Sequence, residues 1–321
     1  MAVLGIDEVT YRAEDLPACK KFFLDWGLKL VSESAQQLVF HTLNECVVRV
    51  AHPSTPGLPA GLEEGPTMVE VVWGVESESD LQTYAANLKD NPAFSLTDGR
   101  VRAIDPNGVT IGVQVSRKKP VTLECGEFNT WSHRRRVNKP APFYERATPI
   151  EVGHVVFYVA NRVEAVKFYE DKLGFVVSDQ YPNRGSFMRC APKGGHHDMF
   201  LLQLPSGKKG LNHVAFTVRD IHEVVGGGMA MDRHGWKTEL GPGRHPVSSA
   251  YFWYFENPAG ALCEYYADED ELTGEWQSRD FEPGPTVFAE WAISGGLDGN
   301  TRRPKGAAAP ANKFMTDKTA A

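Results

Sequence analysis

Two stretches of the chain read alike: Ile6–Ser32, IDEVTYRAEDLPACKKFFLDWGLKLVS, and Val152–Ser178, VGHVVFYVANRVEAVKFYEDKLGFVVS. Each runs through an apolar segment, a polar turn, an amphipathic segment of helical spacing, a glycine and a second apolar segment. That order predicts strand, turn, helix, strand, twice in one chain. In the second stretch Asn161 is placed to cap the helix. Val163, Val166, Tyr169 and Leu173 supply its apolar stripe, and Gly174 ends it. In the first stretch Asp15 takes the cap, Leu16, Cys19 and Phe22 the stripe, and Gly27 the stop. The likeness continues downstream. TMVEVVWGV from Thr67 matches LNHVAFTV from Leu211, and IDPNGVTIGVQV from Ile104 matches FENPAGALCEYY from Phe255. The D-P-N-G and N-P-A-G pieces are turns between strands. The expectation is an α+β chain of two β-rich modules at 1–117 and 149–268. A Pro-rich, charged linker at 118–148 joins them, and a polar, Gly/Pro-rich arm at 269–321 follows, expected to be partly disordered.

A length of 321 residues suits two domains, and 42% hydrophobic against 23% charged residues suits a chain with full cores. No apolar run approaches the ~18 residues of a membrane span. The formal charge is -7, from 34 basic and 41 acidic residues, which argues against nucleic acid as a partner. The basic run Arg134–Arg136 lies in the Pro-rich linker and reads as a solvated segment. Five cysteines, an odd number without C-x-x-C spacing, argue against a disulfide framework and a zinc knuckle. The opening residues lack the basic and apolar regions of a secretory signal, so a cytoplasmic setting is expected.

The two copies differ where chemistry would matter. Laid over one another, they place His154 opposite Glu8, His213 opposite Glu70, and Glu264 opposite Gly112. Only the second copy thus gathers two imidazoles and a carboxylate at matched strand positions. Two His and one carboxylate on one face, with open positions beside them, form the ligand set of non-haem Fe(II) oxygenases. Glu264 lies in the apolar stretch AGALCEYYA, where an unpaired carboxylate would be costly to bury. Glu8 and Glu70 lack a third ligand, which favours ordinary ion pairing. Trp73, Trp236 and Trp253, with the run Tyr251–Phe255, are candidates for an aromatic pocket.

Upstream of Glu264 the chain reads GPGRHPVSSAYFWYFENPAGALCE, from Gly241. With the three ligands, this resembles the signature of type I extradiol ring-cleavage dioxygenases of the vicinal oxygen chelate superfamily. Gly243, His245, Tyr254, Asn257, Pro258, Gly260 and Glu264 carry the motif, and Trp253 departs from the aliphatic residue or Phe usual before the Tyr. The resemblance spans both modules and implies two tandem vicinal oxygen chelate modules, each built from paired βαβββ repeats. It implies His154, His213 and Glu264 as metal ligands, with Fe(II) expected and Mn(II) as the lesser alternative. It implies His245 and Tyr254 as residues that hold the bound substrate. It also implies an acid/base histidine followed by Asp, which GGHHDMFLLQL supplies as His197–Asp198, with His196 as the neighbour that could take its place. The activity implied is insertion of both atoms of O2 into a catechol-type or trihydroxylated monocyclic ring beside its vicinal diol, with some likeness to trihydroxytoluene-type oxygenases and a homo-oligomeric assembly. The rivals are a non-redox metalloenzyme of the same superfamily, such as a glyoxalase-like isomerase or a thiol transferase, and a metal-free small-molecule-binding protein.

Overall fold

The computed structural model describes residues 3–295 and builds them around two large sheets. The first contains β1 (Val3–Arg12), β2 (Lys29–Glu33), β3 (Gln37–His41), β4 (Val47–Ala51), β5 (Thr67–Val75), β6 (Ser95–Thr97), β7 (Arg100–Ile104) and β8 (Thr110–Val115). The helices α1 (Leu16–Asp25) and α2 (Glu78–Leu88) belong to it. The second contains β9 (Glu151–Tyr158), β10 (Val176–Tyr181), β11 (Gly185–Arg189), β13 (Met199–Leu202), β14 (Gly210–Thr217), β15 (Thr238–Arg244), β16 (Tyr251–Glu256) and β17 (Leu262–Ala267). Its helices are α3 (Arg162–Leu173) and α4 (Ile221–Arg233). A short ribbon pairs β12 (Gly194–Gly195) with β18 (Glu271–Leu272), and β19 (Arg279–Asp280), α5 (Pro285–Phe288) and β20 (Trp291–Gly295) complete the described chain.

Strand order in the first sheet is β2-β3-β4-β1-β5-β8-β7-β6. The second repeats it as β10-β11-β13-β9-β14-β17-β16-β15 and adds β19 and β20 at its edges. In each sheet the central pair is antiparallel (β1 with β5, β9 with β14), and each central strand has a parallel outer neighbour. Each sheet is therefore two βαβββ units joined along their first strands. Residues 118–148 form no helix or strand beyond an isolated bridge between Asn129 and Arg134.

The helix ends obey their local chemistry. Asp15, Ser77, Asn161 and Asp220 each accept a hydrogen bond from an amide in the first turn of the helix they precede. Gly174 closes α3 in the left-handed conformation, at φ 72°. The stripe expected on α3 is shifted: Val163 is 66% exposed, and Ala165, Tyr169 and Leu173 face inward. The i, i+4, i+8 row through Tyr169 passes through Ala165, not Val163. Between the modules, Trp26 at the end of α1 stacks on Tyr265 of β17, ring centroids 3.6 Å apart, and the Tyr265 hydroxyl donates to the Trp26 carbonyl at 2.7 Å. Such a pair contributes about 1 kcal/mol beyond its area burial.

The segment expected as an arm from 269 departs from that reading. Up to Gly295 it folds onto the second module, with β19 beside β10 and β20 beside β15. The remainder, 296–321, lies outside the described residues.

Candidate metal centre and cavity

Register decides which side chains meet. Ala215 of β14 lies opposite His154 of β9 on one side and Glu264 of β17 on the other, and Glu264 lies opposite Tyr254 of β16. Residues level across neighbouring strands share a face, so this row runs His154, Ala215, Glu264, Tyr254. His213 stands two residues from Ala215, on the same face. The small Ala215 leaves the ring and the carboxylate free to converge above it.

The convergence is tight. His154 Nε2 lies 3.1 Å from Glu264 Oε2 and 3.2 Å from His213 Nε2, and His213 Nε2 lies 3.2 Å from the same carboxylate oxygen. All three residues are buried. His213 Nδ1 faces the Asn212 amide oxygen at 2.6 Å, and the Asn212 amide nitrogen donates to the Tyr158 hydroxyl at 2.6 Å. A carbonyl oxygen only accepts, so Nδ1 carries the hydrogen and the Nε2 of a neutral His213 presents a lone pair.

Protonation follows the same logic. Burial holds the His154 imidazole down at about 3, so the ring is neutral at physiological pH. Burial likewise lowers His213. Burial alone would raise Glu264, but the imidazoles of His154, His213 and His245 around it overcome this and hold the carboxyl well below its usual range. Two neutral rings and one carboxylate thus turn a nitrogen each and an oxygen to a common point. A cation bound at ~2.1 Å to three mutually perpendicular ligands holds its donor atoms about 3 Å apart, so the set fits a divalent metal. A looser group, His154, His197 and Glu269, shares His154 with the first, its ligand atoms lying within 4.8 Å of one another.

A cavity opens beside this centre. Its walls include Val156, Phe187, Phe200, Val247 and Phe288, with His197, His245 and Tyr254 as the further polar groups near the ligands. His245 Nδ1 donates to the Phe288 carbonyl at 2.7 Å, which leaves Nε2 to pair with the Tyr254 hydroxyl at 3.0 Å. The ring of His197 packs on that of His154 with centroids 4.2 Å apart. His196 points elsewhere: it is fully buried and its Nε2 pairs with Asp179 at 2.9 Å.

Residues 151–265, from β9 through β17, match the Glyoxalase/Bleomycin resistance protein/Dioxygenase superfamily. The chain is 30% identical to Metapyrocatechase 2 of Cupriavidus necator over 219 residues, 66% of each protein. The chain belongs to the type I extradiol dioxygenases of this superfamily. It is also 26% identical to the iron-dependent extradiol dioxygenase of Rhodococcus jostii, over 65% of this chain and 73% of that protein. Among solved structures, the Mn(II)-bound glyoxalase from Novosphingobium aromaticivorans superposes with a TM-score of 0.71 at 26% identity, covering 99% of both chains.

The six site residues expected from the sequence of this dioxygenase lie around one cavity. The tryptophans do not. Trp253 turns to the helix side and donates its indole N–H to Thr238 at 3.1 Å, Trp73 packs on Phe175, and Trp236 packs on Phe22 of the first module. The aromatic walls are instead Tyr181, Phe187, Phe200 and Phe288. Asn212, which from the sequence reads as a structural neighbour of His213, orients the His213 ring, and Glu269, for which the sequence offers no signal, lies with its carboxylate 3.1 Å from His197 Nδ1.

Proposed function

We propose that the enzyme is an Fe(II)-dependent extradiol dioxygenase. It opens a catechol-type or trihydroxylated monocyclic ring beside the vicinal diol and adds both atoms of O2. The observation that carries this reading is the convergence of three buried ligand atoms, two imidazole nitrogens and a carboxylate oxygen, at the mouth of an apolar cavity. A metal bound by His154, His213 and Glu264 would supply chelation of both diol oxygens and an electronic path between ring and dioxygen. Iron follows the Rhodococcus relative; Mn(II) suits the same donors and is the lesser alternative.

The chain's own side chains have distinct tasks in this reading. His197 faces the cavity beside the ligands and exchanges protons with the substrate as acid and base. Tyr254 and His245, paired with each other and anchored by the Phe288 carbonyl, hold a ring oxygen and the charge that grows on it. Val156, Phe187, Phe200 and Val247 pack an apolar ring face and exclude water. A homo-oligomer in the cytoplasm belongs to the same reading, and no helix among the described residues is long and apolar enough to cross a membrane.

The name of the Novosphingobium structure favours a second reading, a glyoxalase-like isomerase on the same ligands. A thiol transferase falls in the same class. Neither uses the set of His197, His245 and Tyr254. A metal-free binding protein has no reason to gather His154, His213 and Glu264 at one point. Oxygen uptake after anaerobic Fe(II) loading separates these readings. The expected result is one O2 consumed per ring opened, with an absorbing ring-fission product, for at least one member of a panel of catechols and trihydroxybenzenes. Metal-loaded protein that consumes no oxygen but isomerises a hemithioacetal would replace this reading with the second.

A further inference from the structure

We propose that Glu269 is a positioning residue for His197: its carboxylate, with the ring of His196, fixes which nitrogen of His197 is left open to the cavity. The inference deepens the ring-cleavage reading and rests on it for the use made of His197.

Glu269 arrives from 72 residues away by a built route. The ribbon pairs Gly194 with Leu272 and Gly195 with Glu271, which lays the segment after β17 across the approach to His197. The Asp270 amide donates to the carbonyl of Ser248, a residue of the cavity wall, at 2.9 Å. A side-chain carbon at Gly195 would collide with the Glu269 carboxylate, so glycine is what leaves room for it. Glu269 Oε1 then lies 3.3 Å from the His197 backbone amide, from which it accepts, and 3.1 Å from His197 Nδ1.

The neighbouring groups settle the hydrogen positions. Asp179 is gripped by the Arg279 guanidinium at 2.6 Å and accepts the Arg279 amide at 2.8 Å, so it is a carboxylate and only accepts. His196 Nε2, 2.9 Å from Asp179, must therefore donate. In neutral His196 that leaves a lone pair on Nδ1, which lies 3.2 Å from His197 Nδ1. Two lone pairs facing each other at that distance would repel. The hydrogen of His197 is accordingly on Nδ1, shared between Glu269 and His196, and Nε2 is the open nitrogen of a ring that lines the cavity.

The test uses the full-length chain, labelled with 15N-histidine and loaded with diamagnetic zinc, as wild type, Glu269→Ala and Glu269→Gln. Long-range 1H–15N spectra report the tautomer of His197, and the iron-loaded proteins report kcat, KM and metal content. Wild type is expected to show the Nδ1–H form. Glu269→Ala is expected to mix tautomers and to lower kcat about 10–100-fold, the range of a lost orienting partner, with KM and metal content unchanged. Glu269→Gln keeps an accepting oxygen and should restore most of both signals. An Ala variant with unchanged tautomer and kcat overturns the proposal. Loss of metal in both variants overturns it too, by making Glu269 a ligand of the His154–His197 group. A wild type that opens no diol would remove the ring-cleavage reading, while the tautomer spectra would still decide what Glu269 does.

Discussion

The two sheets share one strand order but fill the matched positions with opposite chemistry. In the first module β1 and β5 place Glu8 opposite Val72, β8 places Gly112 beside Val72, and β7 places Arg102 opposite Gly112. In the second, the same register steps give His154, Ala215, Glu264 and Tyr254. Two residues along, Glu70 corresponds to His213 and Arg100 to Phe252; Arg49 corresponds to Phe200. Both modules therefore bury converging acceptors that demand positive charge. The first supplies that charge from its own chain. Arg100 reaches Glu8 at 2.7 Å and Glu70 at 3.5 Å, Arg49 reaches Glu8 at 2.9 Å, and Arg102 reaches Glu70 at 2.6 Å. Even a β-carbon at Gly112 would lie 2.9 Å from Val72 Cγ2 and 3.4 Å from Arg100 Cδ, so no third carboxylate fits. The second module places aromatic rings, Phe200 and Phe252, where the first has Arg49 and Arg100, and under the proposed function its cluster takes a cation from solution. One fold thus yields a closed ion-pair cluster or, in the reading proposed above, an open metal centre, according to what provides the cation.

Removing one charge from each cluster should expose that difference. The largest effect is expected for Glu264→Gln, which removes the charge of the metal set. Metal content after dialysis should fall to background and turnover by about 10³-fold, the several kcal/mol a bound ion supplies. A variant that keeps stoichiometric metal would show that Glu264 is not a ligand. In the first module, Arg100→Ala leaves Glu8 and Glu70 short of their shared partner, with both carboxylates only 3–4% exposed. The expected cost is about 3 kcal/mol, the scale of breaking a buried pair. It should appear as a lower thermal midpoint, while turnover per folded molecule at 25 °C stays at the wild-type value. Loss of activity without loss of stability would mean that the first cluster communicates with the cavity.

Much of this contrast was legible in the sequence because repeats carry their own register. Laying Ile6–Ser32 on Val152–Ser178, and then the two downstream matches on each other, places the three candidate ligands opposite Glu8, Glu70 and Gly112. His245 and Tyr254 were legible only through the resemblance carried by the motif that ends at Glu264. Parity was harder. In β16 every second residue faces the cavity side, and composition alone does not say whether Trp253 or Tyr254 takes that face; Trp253 packs towards the helices. Glu269 and Phe288 were illegible for another reason. They lie in a polar stretch without periodicity, and they reach the site through a two-residue ribbon and a single short helix. Such contacts are set by tertiary pairing, which local pattern does not encode.

The smallest expected effect concerns acid. Burial alone would raise Glu8, but Arg100 and Arg49 reverse this and lower it below the usual glutamate value. A carboxylate lowered on folding stabilises the native state above its unfolded-state value, about 4.3. That contribution drains away as the pH falls through the folded-state value, because the unfolded chain then binds the proton more readily. Glu8→Gln cannot bind that proton, so it lacks the acid-dependent limb and starts from a lower stability at neutral pH, where Arg49 and Arg100 have lost a partner. The two proteins' thermal midpoints should therefore differ at pH 7 and approach each other as the pH falls below about 4.3. The metal ligands do not enter this comparison if both proteins are measured with excess chelator. A gap that stays constant across that window would mean that the guanidiniums do not hold Glu8 ionised, and that the first module keeps its acceptors buried by some means other than its own cations.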